Sequence, residues 1–139
     1  MIVAPRGLLD TNTLILLDEF DADVPMPGSP LISTITLAEL SVGPLTTADA
    51  QEQSERQHQL QEAEASFDPI PFDRAAARAF GQVSASLRRA GRKTSARTYD
   101  AMIAAIAISR GLPLFTCNPS DFEGIDGLEV IAVPNPHPS

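Results

Sequence analysis

Gly7-Leu8-Leu9-Asp10-Thr11-Asn12-Thr13 is the stretch whose reading decides the fold. A short apolar run ends in a carboxylate, and small polar residues follow where a helix begins. This is the form of a buried strand passing into a helix. A carboxylate at a strand's carboxyl end faces the crevice where open α/β sheets hold their ligands. Asp10 therefore reads as the anchor of an acidic site, to which later elements would bring Glu39, Asp100 and Asp121.

Outward from that stretch, strands are expected at 6–9, 31–33, 114–116 and 128–133. Thr13 to Phe20 has a helical pattern, and 21–30, with three prolines and a glycine, reads as a loop. A helix through Thr36-Leu37-Ala38-Glu39-Leu40 stops near Gly43-Pro44. Residues 46–66 are polar, with Leu60 as the one large interior aliphatic, which suits a solvent-facing helix or a partner-binding arm. Two prolines confine 67–72 to an edge strand at best. The helix from Asp73 to Ala90 puts Ala76, Phe80, Val83 and Leu87 on one face, and Gly91 ends it. Residues 102–108 are apolar all round, as in a central buried helix that Gly111 caps. Short strands alternating with helices predict a parallel sheet covered on both faces, an α/β fold in three layers. One domain spans 1–133, and the tail 134–139 is expected to be disordered.

Composition narrows the function. No apolar run approaches a membrane span, and no secretory leader pattern opens the chain. Cys117 is the single cysteine, so no internal disulfide forms and a cytoplasmic location is expected. With His58 and His137 as the only histidines, a Cys/His zinc site is excluded. The net charge of −8 argues against general nucleic-acid affinity, but its distribution is uneven. Residues 74–99 hold Arg74, Arg78, Arg88, Arg89, Arg92, Lys93 and Arg97 and no acid, leaving −15 on the rest of the chain. Such a strip could hold a phosphate backbone locally; a solvated helix face is the plain alternative.

Each of the four acids has a simpler explanation when taken alone. Asp10 fits a helix cap, Asn118-Pro119-Ser120-Asp121 fits an N-cap, a proline at N1 and an acid at N3, Thr36-x-x-Glu39 fits a capping box, and Asp100 suits the positive end of a helix. Together they fall at equivalent places, where a parallel sheet gathers the ends of its strands. Carboxylates gathered there raise one another's pKa unless a cation intervenes, and oxygen-only ligands suit Mg²⁺ or Mn²⁺. Such ions activate water for phosphodiester hydrolysis.

Four colinear pieces, Leu8–Asn12, Ile35–Leu40, Thr98–Ala105 and Gly111–Phe122, resemble the PIN-domain ribonucleases of toxin–antitoxin systems, the VapC toxins. The likeness runs over about residues 6–133. It implies a doubly wound α/β/α sandwich, mainly parallel, that cleaves RNA with Mg²⁺ or Mn²⁺. It also implies a homodimer, within a larger toxin–antitoxin assembly, neutralised by a small antitoxin. By position, Asp10, Glu39, Asp100 and Asp121 correspond to the family's acidic quartet, supported by Thr11, Asn12, Thr116 and Asn118. Asn118 and Asp121 are alternatives for the last metal contact. Arg88, Arg89, Arg92, Lys93 and Arg97 are candidates for RNA or antitoxin contact, with Arg92 or Arg97 as alternative partners of Asp100. Two other functions fit the residues less well: a metal-dependent DNA nuclease or phosphatase, and a silent RNA- or protein-binding module. The six phenylalanines read as core, Cys117 as a small buried filler, and Tyr99 as packing before RNA contact.

Overall fold

The computed structural model describes residues 1–138; of Ala96 only the backbone is described, and Ser139, the end of the expected disordered tail, lies outside. Strand β1, Ile2–Leu9, opens the chain, followed by helix α1, Thr11–Ile15, and strand β2, Met26–Leu31. Helices α2, Thr34–Val42, α3, Ala50–Ser66, α4, Arg74–Arg89, and α5, Thr98–Arg110, come next. Two short strands, β3, Leu114–Thr116, and β4, Val130–Ala132, complete the sheet. The four strands run in the order β2-β1-β3-β4, and every pairing is parallel.

Alternation along the strands builds two cores, because successive side chains point to opposite faces. Leu8 and Leu114 pack with Val83 and Leu87 of α4 and with Ile103 and Ile106 of α5. Leu9 and Phe115 face the other way, onto Leu14, Leu16, Leu17 and Phe20. The result is a sheet between two helical layers. Beside them α2 and α3 enclose Ile32, Leu40 and Ala63, with Leu60 and Phe67 against the cluster. The polar helix α3 thus docks through one narrow stripe. Gly7 stays bare for packing reasons. A Cβ there would run into the buried Phe115 ring and stand 3.1 Å from Pro27 Cβ.

Besides β1, which begins at Ile2 rather than at residue 6, three local expectations change. Residues 26–31, read as loop and part of a short strand, form β2 despite Pro27 and Pro30. β2 lies at the sheet's edge, where a proline's missing N–H need not interrupt a ladder. The helix expected from Thr13 to Phe20 starts at Thr11, ends at Ile15 and gives way to a 3₁₀ turn at Leu17–Glu19. The break lets Leu14, Leu16, Leu17 and Phe20 all reach one core, which a straight helix would spread around its axis. Residues 67–72 contribute one parallel bridge, Ser33 to Ile70, rather than a strand. Near the C-terminus, His137 Nε2 meets Glu19 Oε1.

Candidate active site

The register of the sheet fixes the site. β1 and β3 pair Leu8 with Leu114 and Leu9 with Phe115, so the next residues, Asp10 just past β1 and Thr116 at the end of β3, come level at the strands' carboxyl ends. Here the chain has placed β2 on one side of β1 and β3 on the other. That reversal opens the crevice typical of ligand sites in doubly wound sheets.

Asp10 is buried, and its oxygens are fully directed. Oδ1 accepts from the Thr13 backbone N–H at 3.2 Å and from the Thr13 hydroxyl. Oδ2 accepts from Thr116 Oγ1 at 2.6 Å. Asp10 therefore does cap α1, and the same hydrogen bonds fix its carboxylate in the crevice. Burial raises its pKa, and the threonine hydrogen bonds only partly offset this.

Glu39 is not part of a capping box. Ser33 caps α2 by accepting from the Thr36 N–H at 3.2 Å, which leaves Glu39 free to turn inward. It accepts from Thr11 Oγ1 at 2.7 Å, and Thr11 in turn lies 3.1 Å from Thr36 Oγ1. Burial pushes Glu39 upward, with Asp10 adding to the effect.

Asp100 sits in the first turn of α5 and lines an open cleft with Glu39 and Arg97. Its pKa is pushed up to about 6, first by burial and then by the charges of Asp121, Asp10 and Glu39. Asp121 lies in the 3₁₀ turn Pro119–Phe122 after β3 and accepts from Arg97 Nη1 at 3.1 Å. The four acids therefore lie within electrostatic reach of one another at one end of the sheet. Among the described residues no three His, Cys, Asp or Glu side chains already form a metal-binding group. The donor set is nonetheless oxygen-only, anionic and mutually repulsive, and so fits a hard divalent cation in its chemistry.

The supporting residues differ in part from those expected. Thr11 and Thr116 are in place, but Asn12 is exposed, and Asn118 binds through its backbone N–H to Thr116 Oγ1 at 3.0 Å. Thr13 was missed. It holds Asp10 and also accepts from the Cys117 N–H at 3.1 Å. Its only signal in the sequence was a polar residue at a position that helical periodicity turns inward. Burial raises the Cys117 thiol's pKa, as fits a filler beside the site.

The basic strip divides. Arg97 pairs with Asp121, and not with Asp100 as one alternative had it. Arg92 donates to Ser120 O at 3.1 Å and Glu123 O at 2.8 Å, clamping both ends of the turn that carries Asp121. Arg89 reaches Asp126 at 3.0 Å, while Arg88 and Lys93 are exposed. A separate groove of mixed character, lined by Leu14, Leu17, Leu40 and Phe67 and by Asp18, Gln59 and Glu62, contains none of the four acids. Among the described residues no helix is long and apolar enough to cross a membrane.

Comparison with known proteins agrees with this architecture. The PIN domain family matches residues 8–128. Ribonuclease VapC5 of Mycobacterium tuberculosis is 35% identical over 133 residues, covering 91% of this chain and 95% of that protein. The tRNA(fMet)-specific endonuclease VapC of Shigella flexneri is 39% identical over 102 residues, 73% of each. Among solved structures, a chain of VapBC-5, a member of the VapBC family of toxin–antitoxin systems from Mycobacterium tuberculosis, superposes with a TM-score of 0.77 at 30% identity, covering 93% of this chain and 99% of that one. With a parallel sheet that brings its acids to the switch point and a family match over most of its length, the chain belongs to the PIN-domain family, as a member of the VapC type.

Proposed function

We propose that this protein is a cytoplasmic endoribonuclease toxin that hydrolyses RNA phosphodiester bonds with Mg²⁺ or Mn²⁺. We further propose that it acts as a homodimer and is silenced by a small cognate antitoxin. One observation carries the reading. Four carboxylates from four separate segments lie within electrostatic reach at one end of the sheet, where burial and the other three drive Asp100 to a pKa of about 6. A protein gains no stability from crowding like charges, so their grouping supports a function that a bound cation would serve.

Asp10 and Asp100 are the principal metal ligands in this account, with Glu39 and Asp121 completing the set. A bound divalent ion supplies an activated water and neutralises charge on the reacting phosphate. The chain's own residues set the geometry. Thr13 and Thr116 aim the Asp10 carboxylate, Thr11 holds Glu39, and Arg97 orients Asp121. The VapC relatives named ribonuclease and endonuclease support RNA over the phosphatase and silent-module readings.

Matched single-stranded RNA and DNA of one sequence, together with structured RNAs, are incubated with the protein in Mg²⁺ or in EDTA. The proposal expects RNA cleavage in Mg²⁺ only. Equal cleavage in EDTA would refute the metal role, and cleavage of DNA alone would refute the substrate.

A further inference from the structure

All six phenylalanines are buried or half-buried, as expected of core residues, whereas Tyr99 is 55% exposed. The packing role the sequence suggested for Tyr99 does not hold. A tyrosine ring offers a large apolar face, and leaving it in water forgoes the burial that normally accounts for an aromatic residue. Its position gives it another use. Tyr99 precedes Asp100 in the first turn of α5 and lines the same open cleft as Asp100, Glu39 and Arg97. Every other side chain lining that cleft is charged or hydroxylic, so the ring is its one flat apolar surface.

RNA whose phosphate is held at the acids through a divalent cation brings neighbouring bases to the cleft. Bases inside a duplex are stacked on each other and have no free face, whereas an unpaired base does. Aromatic side chains capture such faces with little regard to sequence. We infer that Tyr99 is a stacking platform for an unpaired nucleobase next to the scissile phosphate, and so selects single-stranded segments of the substrate. This rests on the ribonuclease reading above.

The chain provides its own probe. Tyr99 is the only tyrosine and there is no tryptophan, so the protein's tyrosine emission comes from this ring alone. Short single-stranded oligoadenylate is titrated into the intact protein with Ca²⁺ in place of Mg²⁺, so that a cation offsets the acids' repulsion of phosphate, with binding followed separately by the anisotropy of a labelled oligonucleotide. Stacking predicts saturable quenching of tyrosine emission with the same midpoint as the anisotropy change. An abasic ribose-phosphate oligomer leaves the emission unquenched. Tyr99→Ala weakens oligoadenylate binding about tenfold to a hundredfold, while Tyr99→Phe, which keeps the ring, stays within about twofold. Because the side chain is exposed, neither variant shifts the thermal midpoint.

Binding and metal-dependent cleavage with unchanged emission would overturn the platform and leave the ribonuclease standing. Absence of both binding and cleavage would overturn both. Emission that changes with protein concentration and not with RNA would show the ring covered by a second copy of the chain, and would also overturn the inference.

Discussion

Thr116 Oγ1 donates to Asp10 Oδ2 over 2.6 Å, joining the ends of two neighbouring parallel strands that lie 106 positions apart in sequence. Because Thr13 occupies the other carboxylate oxygen, Asp10 is fixed from both sides within a buried site.

Thr116→Val keeps the shape and removes the donor, leaving a buried carboxylate oxygen unsatisfied. A loss of about 1–3 kcal/mol is expected at neutral pH, together with reduced cleavage. Thr116→Ser keeps both close to normal. Denaturant unfolding and initial rates, measured on the same preparations, check the pair of outcomes.

Stability of the metal-free protein is expected to fall as pH rises from 5 to 7. The folded-state pKa of Asp100, about 6, exceeds the ordinary 3.8. A carboxyl raised in this way favours the folded state while protonated, so its contribution is whole below 3.8 and is lost as pH climbs through about 6. The raised pKa values of Asp10 and Glu39 act in the same direction. Asp100→Asn removes the repulsion and should be the more stable protein at pH 7, with a flatter profile. Thermal unfolding in EDTA across this range tests the sign.

Gly7→Ala drives a methyl group into the Phe115 ring, which is fully buried and has no room to yield. A destabilisation of about 1–3 kcal/mol follows from overpacking. Chemical denaturation measures it directly.

The arginines of the basic strip should behave differently from one another. Arg92→Ala frees the turn that carries Asp121 and lowers the cleavage rate at all salt concentrations. Arg88→Ala leaves the rate at low salt near normal. If Arg88 meets the RNA backbone, the same change reduces the slope of log affinity against log salt by a little under one. Arg89→Ala, which breaks an exposed pair with Asp126, changes stability by no more than about 1 kcal/mol.

Strong periodicity made α4 and α5 legible: an apolar face in one, apolar residues on all sides of the other, and Gly111 in the left-handed conformation at φ 63° as the terminator. The alternation of strands and helices carried the three-layer class. β2 was hidden because its prolines signal a loop unless the strand is known to lie on an edge, and edge position follows from sheet order, which local sequence does not encode. The four acids could be marked as candidates, and so could Thr11 and Thr116, which hold Glu39 and Asp10, but not Thr13. Thr13 directly follows Asn12, an equally polar neighbour, and only burial distinguishes the two. Tyr99 was misread for the same reason, since a tyrosine beside a helix start carries no sign of which side faces solvent.

Titration calorimetry of Mn²⁺ into the protein and into Asp10→Asn, Glu39→Gln, Asp100→Asn and Asp121→Asn tests most directly whether the four acids form one site. The account predicts saturable binding by the unmodified protein that every one of the four substitutions weakens, Asp10→Asn and Asp100→Asn the most. Binding unchanged by all four substitutions, or no binding by the unmodified protein, would contradict it.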